Sequence, residues 1–145
     1  GAMARLEGQG ERGTPTGPEA ESRHGRAMGE TGERRHAAAM LLTLGPKHVL
    51  LTGGHLAGPV VHDVLMSEGG VVEFSSPRIE TRHTHGTGCT LASAIATGIA
   101  QGMAPRDAVA RAQAYVHEAI RRAPGLGRGH GPIGHAHTVR EFDAE

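Results

Sequence analysis

The stretch Thr81-Arg-His-Thr-His-Gly-Thr-Gly-Cys-Thr90 constrains this chain more than any other. Gly86 and Gly88 flank Thr87, Cys89 follows, and small, largely apolar residues run from Leu91 to Ala100. The pattern predicts a glycine loop that opens directly into a helix. The first amides of a helix have no partner inside it, and the helix dipole adds partial positive charge there, so an anion fits that end. Glycine lets the backbone come close to such an anion because no Cβ intervenes. By themselves these residues fit both an anion-binding loop and a plain turn. They are not a phosphate loop of the G-x-x-x-x-G-K-[ST] kind, since no lysine follows the glycines.

Cys89 is the sole cysteine and stands at the end of this loop. A helix N-terminus favours the thiolate, which suits a base or nucleophile. The alternative is a small buried hydrophobe, the commonest role of a free cysteine. A single cysteine excludes an internal disulfide and fits a reducing, cytoplasmic setting.

At 145 residues the chain is long enough for one domain with a real core. Fifteen basic and fifteen acidic residues balance, so no basic excess points to nucleic acid and no acidic arm is present. No apolar run has the length of a membrane span, and no signal peptide is visible. Gly1-Ala-Met3 is set aside as a cloning remnant. Residues 1–17 are rich in Gly, Pro, Thr and charge, and are expected to be a flexible segment.

Further along, Ala37, Met40, Leu41 and Leu44 recur at helical spacing, which predicts a helix from Glu30 to Leu44 that stops at Gly45-Pro46. Lys47 to Thr52 is a short apolar run, expected to be a buried strand. Val60–Met66 and Val71–Ser75 predict a hairpin across the Glu68-Gly-Gly70 turn. Thr90–Gln101 is apolar almost all round and predicts a buried helix. Pro105–Arg122 is amphipathic, with Ala108, Ala112, Tyr115 and Ala119 beside Val109, Val116 and Ile120. Helices alternating with strands predict an α/β layer architecture with a mostly parallel sheet. In the tail, His135-Ala-His137 is read as surface histidines, because two imidazoles without a carboxylate or thiolate make a poor metal site.

Thr84-His-Gly-Thr-Gly-Cys-Thr90 closely resembles the signature of the hydroxymethylpyrimidine/phosphomethylpyrimidine kinases of thiamine biosynthesis, members of the ribokinase-like superfamily. Leu44-Gly-Pro-Lys-His-Val-Leu-Leu-Thr-Gly-Gly-His-Leu56, Ser76-Pro-Arg-Ile-Glu-Thr81, Ala112–Ile120 and Gly127-Arg-Gly-His-Gly-Pro132 are similar to the segments that accompany it. The resemblance covers residues 33–135 in order and, more faintly, 14–32. It implies a partial ribokinase-like α/β fold, with residues 18–145 as a truncated nucleotide-binding domain. It implies phosphoryl transfer from ATP, with magnesium, to a hydroxymethylpyrimidine or its phosphate. Gly86, Thr87 and Gly88 would form the anion hole, with Cys89 as the base. Thr52, Gly53 and Gly54 would lie near the nucleotide. Glu19 matches the glutamate of an Asn-x-x-Glu element linked to the magnesium site, although Pro18-Glu19 also reads simply as a helix start. His85 is assigned to shaping the loop.

Members of that family are roughly twice this length, and the resemblance is to their C-terminal half. Thr16, Thr52, His83 and Gly134 stand where the family has Asn, Lys, Asn and Asn. Three readings follow: a kinase with a rebuilt substrate pocket, a nucleotide-binding half completed by a homodimer or a complementary half-domain, or a catalytically inactive relative acting as a nucleotide-binding or interaction module.

Overall fold

A computed structural model describes residues 3–6 and 31–139 of the chain. They fall into two units, one ending at Arg78 and one beginning at Ile79.

In the first unit, helix α1 (Thr31–Leu42) follows strand β1 (Met3–Leu6), and β2 (His48–Leu51), β3 (Val60–Ser67) and β4 (Gly70–Pro77) come after it. The four strands form one sheet in the order β1-β2-β3-β4, and every neighbouring pair is antiparallel. The α/β class expected from the sequence holds, but the expected parallel sheet does not. The three strands β2 to β4 follow one another with no helix between them, and a chain that turns straight back can only pair antiparallel. The hairpin forms as expected, with Ser67 opposite Gly70 closing a two-residue turn. β1 lies within the stretch 1–17 expected to be flexible, and Met3, set aside as a remnant, pairs with Leu51.

The core of this unit forms where α1 packs on β2 and β3. Ala38, Leu41, Val49, Leu51 and Met66 make one buried cluster, with Leu42 against it. The buried stripe of α1 runs Arg34, Ala37, Ala38, Leu41, whereas Met40 and Leu44, expected to belong to it, are 46% and 61% exposed. Arg34 has taken the place that periodicity assigned to an apolar residue. Alternation along β2 places Leu50 on the opposite face, where it is also fully buried.

The second unit is built on helices α2 (Thr87–Ala100) and α3 (Pro105–Arg121), which pack against each other. Pro105 opens α3 at a position where a missing N–H costs nothing, and Asp107 and Arg121 complement its two ends. Ala108, Val109, Ala112, Val116 and Ala119 form its buried stripe. A short 3-10 turn, His135–Thr138, lies against α3. Only Leu91, Ile95 and Gly98 of α2 are buried, while Ala96, Ile99 and Ala100 are exposed, so the helix expected to be buried all round is buried on one face.

Candidate active site

The glycine loop is fixed from both directions along the chain. Gly86 caps α2 with φ 91°, a left-handed conformation that costs a residue with a Cβ about 1–2 kcal/mol and glycine almost nothing. Just before it, the Thr87 hydroxyl donates to the Thr84 carbonyl at 2.7 Å, and the Thr87 amide reaches the same oxygen at 3.3 Å. From far along the sequence, the closing segment adds a short parallel bridge. His85 donates its N–H to the Gly131 carbonyl at 3.0 Å and accepts from the Ile133 N–H at 3.2 Å. His130 Nδ1 donates to the Arg82 carbonyl at 3.0 Å. Packing between the two segments is close: a Cβ on Gly131 would run into His83 Nδ1 and the Leu126 carbonyl. His83 Nδ1 itself is buried without a hydrogen-bond partner.

What this construction leaves open is the helix entrance. Intrahelical bonding starts with the Thr90 N–H, which donates to the Gly86 carbonyl at 2.9 Å. No side chain caps α2, and its first turn carries no acidic residue. The amides of Gly88 and Cys89 lie in that first turn, where a helix supplies no acceptor of its own. Such an end, with the dipole's positive pole behind it, is chemically suited to a phosphoryl group. Cys89 is exposed, so its thiol is not the small core hydrophobe that was one alternative.

Gly86, Thr87, Gly88 and Cys89 are therefore contiguous at one helix entrance in the second unit. Thr52, Gly53 and Gly54 belong to the first unit, directly after β2. Gly53 is buried and Gly54 exposed. The Gly53 N–H donates to Asp63 Oδ1 at 2.7 Å, and Arg34 donates to the Leu51 carbonyl at 3.1 Å. Arg34 and Asp63 are 3% and 8% exposed. Burial lowers the Arg34 pKa, and the charges of Asp63 and Glu73 oppose that shift. Arg78 reaches back from the end of β4 and donates to the carbonyls of Gly54 at 2.8 Å, Gly58 at 2.6 Å and Leu56. Sequence reasoning gave none of these three charged residues a role, although Arg78 stands in the quoted Ser76–Thr81 segment. A carboxylate inside the apolar run Val60–Met66 was the available signal for Asp63; nothing in the spacing of Arg34 or Arg78 marks them.

Glu19 and Thr16 lie outside the described residues. Among the described residues, no group of three or more His, Cys, Asp or Glu side chains is placed to hold a metal. His135 and His137 pack their rings against Tyr115 instead. No helix among the described residues is long and apolar enough to cross a membrane.

Known proteins match this chain over most of its length. The family model for phosphomethylpyrimidine kinase matches residues 11–134. The thiamine biosynthesis bifunctional protein ThiED of Geobacter sulfurreducens is 50% identical over 131 residues, covering 88% of this chain and 27% of that protein. A hydroxymethylpyrimidine/phosphomethylpyrimidine kinase of Rhizobium meliloti is 42% identical over 127 residues, covering 86% of this chain and 48% of the relative. Among solved structures, the pyridoxal kinase from Staphylococcus aureus in complex with AMP-PCP and pyridoxal superposes with a TM-score of 0.79 at 27% identity, over 84% of this chain and 46% of that one. A phosphomethylpyrimidine kinase from Clostridium difficile gives 0.58 at 34% identity, over 72% and 40% of the two chains. The chain thus spans half or less of the length of these proteins. With its ribokinase-like α/β fold and its glycine loop at the entrance to α2, the chain belongs to the phosphomethylpyrimidine kinase family.

Proposed function

We propose that this chain carries the phosphoryl-transfer half of a kinase that moves the terminal phosphoryl group of ATP to the hydroxyl of a hydroxymethylpyrimidine or its phosphate. The observation that carries this reading is the uncapped entrance of α2, with Gly86 left-handed and no acid in the first turn. Phosphoryl transfer is mostly positioning and charge stabilisation. The amides of Gly86, Gly88 and Cys89 hold the charge that develops on the transferred group, with Thr87, bonded to the Thr84 carbonyl, shaping the loop between them. Cys89 is the base that takes the proton of the attacking hydroxyl. That oxygen bonds to the terminal phosphorus as the bond from phosphorus to the leaving ADP oxygen breaks. Thr52, Gly53 and Gly54 contact the nucleotide. Magnesium offsets the phosphate charge when bound, and Glu19 is the residue proposed to help hold it.

Exposed Ala96, Ile99 and Ala100 on one side of α2 support completion by a homodimer or a complementary half-domain, because such a face gains by being covered. Thr52, standing where the family has lysine, supports the third reading, a catalytically inactive relative acting as a nucleotide-binding or interaction module.

Thermal unfolding with and without magnesium-ATP tests the proposal. A ligand that binds the native state raises the midpoint by mass action. The wild-type chain is expected to shift upward and Gly88→Asp to lose the shift, since an acid in the first turn repels phosphate. A cooperative transition that magnesium-ATP leaves in place would overturn it.

A further inference from the structure

Three charged side chains, from α1, from β3 and from just beyond β4, grip peptide groups on either side of Thr52. Arg34 on α1 holds the Leu51 carbonyl just before it. Asp63 on β3 holds the Gly53 amide just after it. Arg78, beyond β4, holds the Gly54 carbonyl and then those of Leu56 and Gly58. The Leu56 N–H closes back on the Gly53 carbonyl at 3.0 Å, and the Arg78 N–H donates to the Pro59 carbonyl at 2.8 Å. Residues 53–59 contain no regular secondary structure, and a loop of that kind ordinarily orders itself poorly. Here the hydrogen bonds that a helix or strand would supply come from side chains. Charge-assisted bonds of this type are shorter and stronger than neutral ones. Space is also used up: a Cβ on Gly53 would collide with the His62 carbonyl and approach the Arg34 guanidinium.

A purely structural role accounts for Arg34 and Asp63, which are buried, but not well for Arg78. Arg78 is only partly buried, and its carbonyl partners Gly54 and Gly58 are exposed. A long cation that spends its fork on three carbonyls of an exposed loop fixes the loop rather than the core. We infer that Arg78 is a positioning residue for the nucleotide-binding turn Thr52–Gly54, setting that backbone before the nucleotide arrives. The inference rests on the assignment of that turn to nucleotide binding made above. A preformed loop binds without the ordering cost that a mobile one meets on binding.

The test is titration calorimetry of the full chain with magnesium-AMP-PCP, beside thermal unfolding without nucleotide. Arg78→Gln is expected to weaken binding about tenfold while leaving the nucleotide-free unfolding midpoint close to wild type, since misplaced binding groups cost affinity without unfolding the core. Arg78→Lys is expected to recover little of that loss, because one ammonium cannot span three carbonyls. Hydrogen exchange gives a second readout: amides in 54–58 are expected to exchange faster in Arg78→Gln, whether or not nucleotide is added. Unchanged affinity and unchanged exchange in Arg78→Gln, with the wild-type chain binding normally, would overturn the inference alone. A lowered midpoint with unchanged affinity would also overturn it, since Arg78 would then be structural. A wild-type chain that does not bind the nucleotide would overturn the functional reading and this inference with it.

Discussion

His85 donates its amide hydrogen to the Gly131 carbonyl at 3.0 Å, and so ties the glycine loop to a segment far along the sequence. Gly131 is buried, and a Cβ there would meet His83 Nδ1 and the Leu126 carbonyl, neither of which can retreat easily. Gly131→Ala is therefore expected to cost about 1–3 kcal/mol by overpacking. It should also weaken nucleotide binding by displacing the loop. Denaturant unfolding and a nucleotide titration of the same variant check both parts.

Gly86 tests conformation without crowding. Its φ is 91°, and a Cβ added there would meet nothing within 4 Å. Gly86→Ala should cost about 1–2 kcal/mol from left-handed strain alone. Gly86→Asn should cost less, because asparagine tolerates that region. Equal costs in chemical denaturation would show that strain is not the cause.

Cys89→Ser should lower the rate of pyrimidine phosphorylation at least about a hundredfold, the scale of a lost general base. Nucleotide affinity should hardly change, because the loop amides are backbone groups. Comparable turnover in the two proteins would remove Cys89 from its proposed role.

Two neighbouring isoleucines on α2, one inside the buried stripe and one at its edge, give opposite expectations. Ile95 is 0% exposed, and Ile95→Ala should cost about 2–5 kcal/mol. Ile99 is 37% exposed, and Ile99→Ala should stay within about 0.5 kcal/mol in a monomer. A large effect of Ile99→Ala that grows with protein concentration in the unfolding assay would show that a second copy covers this face.

Acid should weaken the fold in two windows. Burial, helped by Lys47, lowers the His48 pKa below its usual 6.5. The native state then binds fewer protons than the unfolded chain, so this contribution is full above pH 6.5 and is lost as pH falls toward the lowered native value. Hydrogen bonds from Arg121 and Arg122 bring the Glu118 pKa down from 4.5 to about 2. Its contribution is full above 4.5 and disappears as pH falls through about 2. Unfolding midpoints of His48→Gln and Glu118→Gln across pH should each flatten in their own window.

Helix positions were readable because periodicity and breakers coincide, as at Gly45-Pro46 before β2 and Pro105 at the start of α3. Glu68-Gly-Gly70 marked the hairpin, and the alternation of helix and strand gave the α/β class. Strand direction was not readable from that alternation, because direction depends on what links the strands, and β2 to β4 have only turns between them. Arg34 escaped notice because a charge in a buried stripe contradicts the apolar pattern by which stripes are recognised. For the site, Gly86 to Cys89 announced a helix entrance locally. The grip of Arg78 on Gly54, Leu56 and Gly58 did not, since it spans a whole hairpin and exists only once β3 and β4 have paired.

The bridge between His85 and Pro132 also sets an order of events in synthesis. A ribosome delivers α2 and α3 before it delivers Gly131 and Ile133, so the helix pair can form while the loop ahead of it still lacks its clasp. The entrance of α2 is thus among the last parts of this unit to mature. The loop ahead of α2 keeps its own bonds to Thr84 from the start, but gains its fixed place only when Ile133 has left the tunnel and closed on His85.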